Sequence, residues 1–182
     1  MQIRHLMPSD RPLIERHFLA LQSHSRCARF HNAISDAAIE RFAANLRFCS
    51  DISLGAIEEG ELIGYVLVAP HGETGELAIS IADKHQRAGL GTRLIRRAID
   101  AAGALGVQYL ELITTSDNTA MMRTAAHCGF VRAVPAPHES GCIKYRLPLV
   151  ATPGDWAFEV LALTMAACSA QSRVLVGVSH VA

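Results

Sequence analysis

An apolar strand, a turn that carries glycines and an amphipathic helix follow one another directly between Glu76 and Ala102. The two faces of the strand differ, because successive side chains of a strand point in opposite directions. One face carries Leu77, Ile79 and Ile81, and the other carries Glu76, Ala78 and Ser80. The apolar stripe of the helix consists of Leu94, Ile95, Ala98 and Ile99. A strand followed at once by such a helix restricts the chain to folds in which helices are layered on a sheet.

The rest of the chain extends this pattern. We predict further strands over Gln2–Leu6, Ile52–Ile57, Leu62–Ala69, Val107–Thr114, Phe130–Val134 and Cys142–Leu147. Helices are predicted over Leu13–Leu21, Ser35–Leu46 and Asn118–Cys128, and the polar stretch Ser23–Asn32 is predicted to be a loop or a broken helix. The order indicates one α/β domain with a mixed, mostly antiparallel sheet that is flanked by helices.

Composition and charge exclude several functional classes. Half of the 182 residues are apolar and 19% are charged, as in a globular chain with a core. Lys plus Arg equals Asp plus Glu at 17 each, so no global charge attracts nucleic acid or a membrane surface. The N-terminus lacks the apolar region of a signal peptide, and no stretch reaches the ~18 apolar residues of a spanning helix. We therefore expect a cytoplasmic protein without nucleic-acid or membrane partners.

The cysteines and histidines do not form a metal-binding pattern. The five cysteines are odd in number and none has CxxC spacing, which favours thiols in a reducing compartment over disulfides or structural zinc. The nine histidines are scattered without an HExxH or facial-triad pattern. We predict no metal site.

The turn before the helix has the features of a phosphate site. Gly89 and Gly91 allow close backbone approach, and the N–H groups of the turn and of the helix N-terminus point to one place. The side chains of Gln86, Arg87 and Thr92 can add donors. A P-loop requires a Lys before Thr92, and a dinucleotide motif requires glycine where Leu94 stands, so neither fits. A connection that uses glycine for geometry alone is the alternative.

The segment Gln86-Arg87-Ala88-Gly89-Leu90-Gly91 resembles the [Q/R]-x-x-G-x-[G/A] motif with which the GNAT superfamily of N-acetyltransferases binds coenzyme A. Asn118, Met121 and Gly129-Phe130 stand at the spacings that the family shows further along its chain. The resemblance covers residues 1–148, which we predict to be the acetyltransferase domain. The N-terminal run through Arg26, Arg29 and Phe30 is similar to the branch that contains bacterial protein-lysine acetyltransferases.

This resemblance implies a GNAT-like sheet in which the strand Glu76–Ala82 splays away from the strand Gln108–Thr114. The co-substrate would be acetyl-coenzyme A, with its pantetheine arm hydrogen-bonded near Ile79, Ser80 and Ile81. The other implied binding residues are Gln86, Arg87, Ala88, Gly89, Leu90, Gly91, Thr92 and Asn118. The implied reaction is acetyl transfer to a primary amine, on a small molecule or a protein lysine, by direct attack. A non-catalytic acyl-coenzyme A-binding sensor or partner subunit is the alternative.

An amine must be neutral to attack, so a general base is useful. Glu76 is the first candidate, with Glu73 and Glu111 in reserve. The family often has a tyrosine as general acid where this chain has Ala125. Thr124, Ser116 or a water could assist the departing thiolate instead.

Two further stretches leave alternatives open. Arg26, Arg29 and His31 either line the mouth of the acceptor site or belong to a solvated loop. Residues 149–182 form an apolar C-terminal extension, which either packs on the domain or joins two copies in a homodimer.

Overall fold

The computed structural model describes residues 1–134 and 142–149. The helices are α1 (Arg11–Ala20), α2 (Ser23–Phe30), α3 (Asp36–Ala44), α4 (Leu90–Ala104) and α5 (Thr119–His127). The strands are β1 (Gln2–His5), β2 (Ile52–Glu58), β3 (Glu61–His71), β4 (Thr74–Ile81), β5 (Tyr109–Thr115), β6 (Val131–Ala133) and β7 (Cys142–Pro148). Residues 135–141 and, apart from Leu149, the C-terminal extension predicted over residues 149–182 lie outside the described residues.

Within residues 1–134 and 142–149, seven strands form one sheet in the order β1-β2-β3-β4-β5-β7-β6. Every neighbouring pair is antiparallel except β4 and β5, which run parallel. The α4 helix is the connection that this parallel pair needs, because parallel strands cannot be joined by a hairpin. The predicted mixed, mostly antiparallel sheet with flanking helices is therefore confirmed.

Strands β2 and β3, at the two neighbouring stretches that the sequence predicts to be strands, are joined as a hairpin. Glu58 pairs with Glu61, which leaves Glu59 and Gly60 as the two turn residues. Both have positive φ angles, of 50° and 80°. A two-residue turn with two positive φ angles matches the right-handed twist of the strands it joins.

Each face of the sheet has its own apolar core. Because neighbouring residues of β3 point to opposite faces, Val66 joins the core under α4, whereas Tyr65 joins the core under α1 and α3. Leu94 of α4 is fully buried in the first core, and Phe18 and Ile39 are fully buried in the second. Burying each of these side chains contributes roughly 1.5–3 kcal/mol. The two cores hold the sheet from both sides and fix the position of β4 between α1, α2 and α4.

Of the two alternatives predicted for the stretch Ser23–Asn32, a loop or a broken helix, the structure has a helix, α2. Asp83, which lies in the turn after β4, supplies the acceptors at the start of this helix. Its Oδ2 accepts the Gln22 N–H at 2.9 Å and its Oδ1 accepts the Ser25 hydroxyl at 2.5 Å. The side chain of Gln22, the N-cap residue, does not cap α2 itself. The sequence left a loop open as the other alternative because the capping carboxylate comes from 58 residues further along the chain.

Candidate functional site

Strands β4 and β5 lie side by side only at one end. Their paired residues are Thr74–Tyr109, Gly75–Leu110 and Glu76–Glu111. Beyond this point β4 continues to Ile81 and β5 to Thr115 without a bridge between them. This is the predicted splayed pair, and it opens a cleft of about 890 Å³.

The backbone hydrogen bonds of β4 decide which of its polar groups face the cleft. The Ala82 N–H donates to the Ile63 carbonyl on β3 at 2.9 Å. Even-numbered residues of β4 therefore direct their N–H and C=O groups toward β3, and odd-numbered residues direct theirs toward the cleft. Ile79 lies in the middle of the open stretch and presents both groups to the cleft. The predicted residue Ser80 has its backbone on the β3 side.

The turn after β4 presents a row of N–H groups. Arg87 and Gly89 have positive φ angles of 61° and 78°, and α4 begins immediately afterwards. The Arg93 N–H donates to the Gly89 carbonyl at 3.2 Å, whereas the N–H groups of residues 87–92 have no backbone acceptor in the described part of the chain. Unpaired N–H groups at a helix N-terminus, together with the helix dipole, attract an anion.

Three side chains that the sequence singles out at this turn line the cleft, namely those of Gln86, Arg87 and Thr92. The Gln86 amide is already engaged. Its Nε2 donates to the Ile81 carbonyl and to the Ser25 hydroxyl, each at 3.1 Å. Gln86 thus ties the end of β4 to α2, which leaves Arg87 and Thr92 as the side chains open to an anion.

The remaining predicted residues of the turn can offer only backbone groups to a ligand in the cleft. Leu90 is buried in the core, and Ala88 does not line the cleft. A Cβ on Gly91 would lie 3.9 Å from Thr124 Cγ2 and 4.0 Å from Ile79 Cδ1, which is ordinary van der Waals contact. The protein itself therefore leaves room at Gly91, and the space beside its N–H is open to a ligand.

Asn118 lies on the opposite wall of the cleft, at the start of α5. Its Oδ1 accepts the Met121 N–H at 3.1 Å and so caps the helix. Both residues line the cleft. The two sequence signals that flank the cleft, the glycine turn and Asn118, therefore converge on it from α4 and α5.

Of the three carboxylates considered as general base, Glu76 lines the cleft, at the point where β4 and β5 separate. Glu111 is its paired neighbour, but it forms an ion pair with Lys144 at 2.8 Å. Glu73 lies just before the first pair of β4 and β5, at the end away from the cleft, and accepts a hydrogen bond from Gln108 at 3.0 Å. Neither Glu73 nor Glu111 lines the cleft.

On the α5 wall of the cleft, Ala125 stands where the family often has a tyrosine. Ala125 is completely buried, so its side chain packs in the core. Thr124 lines the cleft, but its hydroxyl donates to the Ala120 carbonyl at 2.9 Å, and Ser116 is exposed outside the cleft. The sequence reasoning missed Thr114 on β5. This residue lines the cleft, and its buried hydroxyl has no partner among the described residues.

The α2 helix forms the wall beside β4. Arg29 and His31 line the cleft, whereas Arg26 points to Asp36, with which it pairs at 2.6 Å. Removal from water and, to a smaller extent, the Arg29 charge lower the pKa of His31. The sequence therefore predicted the two cleft residues Arg29 and His31 as one of its alternatives, and Arg26 has a structural role.

A buried pair that the sequence reasoning missed lies behind β4. His17 Nε2 is 2.8 Å from the Ser80 hydroxyl, and His17 Nδ1 is 2.8 Å from the Leu62 carbonyl. A carbonyl only accepts, so Nδ1 carries the proton, and the Ser80 hydroxyl donates to Nε2. Burial lowers the pKa of His17 to about 4, so the ring is neutral. The pair anchors α1 to β4, and no local pattern indicates it because its members are 63 residues apart.

This pair makes the stability of the protein pH-dependent. An unfolded His17 takes a proton near pH 6.5, but the folded ring takes one only near pH 4. Stability is therefore full above pH 6.5 and falls as the pH drops toward 4, by about 2–3 kcal/mol at pH 4.5. Urea unfolding at pH 7.5 and 4.5 checks this. In His17→Gln the difference between the two pH values should shrink by that amount. An unchanged difference would contradict the assignment.

The described residues contain no group of three metal-ligating side chains and no helix long and apolar enough to cross a membrane. Within the same residues, Cys27, Cys49, Cys128 and Cys142 form no disulfide. Cys168 lies outside them.

Comparison with known proteins identifies relatives of this arrangement. Residues 19–130 match the model of the acetyltransferase (GNAT) family. No curated protein sequence matches the chain. Among solved structures, the GNAT domain of PAT from S. lividans is similar, with a TM-score of 0.70 and 19% identity over 81% of this chain and 89% of that one.

Two other solved structures are also similar. The ribosomal-protein-S18-alanine N-acetyltransferase from Escherichia coli has a TM-score of 0.64 and 21% identity over 85% of this chain and 96% of that one. The spermidine N-acetyltransferase from Vibrio cholerae, in complex with CoA and spermine, has a TM-score of 0.64 and 18% identity over 81% of this chain and 95% of that one. At these identities the similarity concerns the fold.

Proposed function

Because this chain belongs to the GNAT family of acetyltransferases, we propose that it transfers an acetyl group from acetyl-coenzyme A to a primary amine. The observation that carries this proposal is the row of unpaired N–H groups at residues 87–92, at one end of the cleft between β4 and β5. The open backbone of Ile79 lies along the same cleft. A cleft with N–H donors at one end and open strand backbone along one side suits an elongated ligand with a phosphorylated end.

Several residues would hold acetyl-coenzyme A. The N–H groups of residues 87–92 and the Arg87 and Thr92 side chains would bind its pyrophosphate, since all of them are donors that the chain leaves open to the cleft. The C=O of Ile79 would accept a hydrogen bond from the pantetheine arm, as strand backbone does from an added strand. Asn118 and Met121 would form the opposite wall. When bound, this co-substrate supplies the acetyl group as a thioester.

Glu76 would act as the general base. The acceptor enters as an ammonium ion with a pKa near ~10.4 if it is a lysine side chain, and its proton must leave before or during attack. The Glu76 carboxylate lies at the cleft and takes this proton directly or through a water. The amine nitrogen then forms the C–N bond, and the C–S bond breaks. The Ile79 N–H faces the cleft and can donate to the oxyanion that develops on the thioester carbonyl.

The departing sulfur requires less help than an amine would. A thiol has a pKa near ~8.5, so thiolate leaves readily at neutral pH. With Ala125 in the position where the family often has tyrosine, the Thr114 hydroxyl is an unpartnered donor at the cleft. We assign it the hydrogen bond to the leaving sulfur. A cytoplasmic location, the domain limit at residue 148 and a homodimer through residues 149–182 stay predictions.

The decisive experiment measures thiol release from acetyl-coenzyme A with a panel of primary amines. Turnover that depends on the amine, with an N-acetylated product detected by mass spectrometry, supports the enzyme. Tight acetyl-coenzyme A binding without turnover over the whole panel would favour a non-catalytic acyl-coenzyme A-binding module. Ala125 is the feature that favours this alternative, because it stands where the family often has a tyrosine as general acid. Absence of both binding and turnover would overturn both functions.

A further inference from the structure

Arg29 occupies an unusual place on the α2 wall of the cleft. Its guanidinium carbon lies 4.9 Å from the centroid of the Phe30 ring, 5.4 Å from that of Phe42 and 5.7 Å from that of Phe18. These rings pack on one another at 5.2–5.4 Å. Arg29 is thus a positive charge held in an aromatic cluster beside the cleft.

The rings do not satisfy the N–H groups of this guanidinium. A cation–π contact offsets part of the cost of removing the charge from water, but it leaves the five N–H donors unpaired. Arg29 is half-buried and lines the cleft, and of its nitrogens Nε is buried without a partner. No ion pair or hydrogen bond of its side chain occurs among the described residues. Loss of hydration lowers the pKa of Arg29. A charged group in this condition indicates a partner that the chain itself does not supply.

The location of Arg29 indicates which bound molecule would supply the missing hydrogen-bond acceptor. Ser25, at the other end of α2, contacts the phosphate turn through Gln86 at 3.1 Å. Arg29 lies one helical turn further along and interacts electrostatically with Glu76. Glu76 itself is five residues from Ile81, or about 17 Å along β4 from the phosphate end. Arg29 therefore faces the acceptor end of the cleft.

Arg29 and Glu76 carry opposite charges at this end of the cleft. The two charges interact electrostatically but do not form an ion pair, so their charged atoms are more than 4.0 Å apart. The space between them suits a ligand with two charges, an ammonium toward Glu76 and an anion toward Arg29. His17, His31 and Tyr65 are the other titratable groups that interact with Arg29, and none of them supplies a negative charge at neutral pH.

We propose that the acceptor is an amine that also carries a carboxylate, such as a free amino acid, and that Arg29 binds this carboxylate. The inference rests on the proposed acetyl transfer and names its substrate class. A planar guanidinium matches a carboxylate with two parallel hydrogen bonds. The same charge disfavours polyamines, which bring a second positive group to the place where Arg29 lies.

The test compares acceptors that differ only in the carboxylate, namely lysine with cadaverine and γ-aminobutyrate with propylamine. We expect kcat/KM to be about 10- to 100-fold higher for the carboxylate member of each pair, as for a charge-assisted bidentate contact. In Arg29→Met this ratio should fall to about one, while cadaverine turnover is retained. Arg29→Lys should give an intermediate ratio, because it keeps the charge and loses the fork. Arg41→Met, an exposed change on α3, is the control and should leave the ratio unchanged.

Binding separates this inference from the proposed function. Calorimetry with lysine and cadaverine, in the presence of coenzyme A, reports recognition whether or not acetyl transfer occurs. If lysine binds and Arg29→Met abolishes this binding, the inference is supported. If at the same time no amine is acetylated, the proposed acetyl transfer is wrong but the inference stands. Equal turnover and equal binding of both members of each pair, or a ratio that Arg29→Met leaves unchanged, would overturn the inference while acetyl transfer stands. Preferential acetylation of polyamines or of lysines within peptides would overturn it as well.

Discussion

Replacing Gly91 by aspartate should weaken acetyl-coenzyme A binding at least about 100-fold while the protein still folds. The change places a carboxylate in the first turn of α4, among the N–H groups that we expect to bind the pyrophosphate. The new carboxylate would satisfy those donors itself and repel the phosphates. The loss of several charge-assisted hydrogen bonds accounts for the size of the effect.

The same substitution should not disturb the fold. An acidic residue in the first turn of a helix is favourable with respect to the helix dipole, and glycine is a poor helix former. A Cβ at this position meets its nearest neighbours, Thr124 and Ile79, at 3.9 Å and 4.0 Å, so no atom has to move. Thermal unfolding of Gly91→Asp should therefore match the wild type or lie slightly above it in the absence of ligand.

Gly91→Ala is the matched control, because its methyl group fits the same space without a charge. We expect its affinity for acetyl-coenzyme A to stay within a few-fold of the wild type. Calorimetry on the three proteins measures the effect. Equal affinity in Gly91→Asp and Gly91→Ala would show that the helix N-terminus does not bind the phosphates.

Replacing Glu76 by glutamine should lower kcat about 10²- to 10³-fold with little change in acetyl-coenzyme A affinity. Glutamine keeps the size and the hydrogen-bonding reach of the side chain but accepts no proton, and a positioned general base contributes about 10²–10⁴-fold. The limb of the pH–rate profile that reports ionisation of the base should disappear. Steady-state kinetics between about pH 6 and 9.5 with one good acceptor measures both effects.

Glu73→Gln provides the control for this experiment. Glu73 is an exposed carboxylate near the start of the same strand, but it does not line the cleft. Its removal should leave kcat and the pH profile unchanged. If Glu76→Gln retains wild-type kcat and its pH dependence, the base is another group, and the neutral His31 at the same end of the cleft becomes the candidate.

The elements that carry the candidate site could largely be predicted from the sequence, because their signals are local. The alternation of apolar residues from Leu77 to Ile81, the glycine turn and the apolar stripe of α4 each lie within a few residues of one another. The positive φ of Gly89 needs no distant contact to explain it, since glycine adopts this conformation without strain. These short-range patterns determined the strand, the turn, the helix and the expectation of an anion site between them.

The acceptor side of the cleft was decided by the tertiary structure. The helix α2 depends on Asp83 for the acceptors at its N-terminus, and the Ser80 hydroxyl depends on His17 for its hydrogen bond. Neither contact can be predicted from the neighbouring sequence, because the partners are far apart in the chain. The aromatic setting of Arg29 combines rings from three helices. The sequence by itself determined where a phosphate site is expected, because N–H groups at a helix N-terminus are a local property. Only the packed structure decided which charges meet an acceptor, because that depends on contacts between residues far apart in the chain.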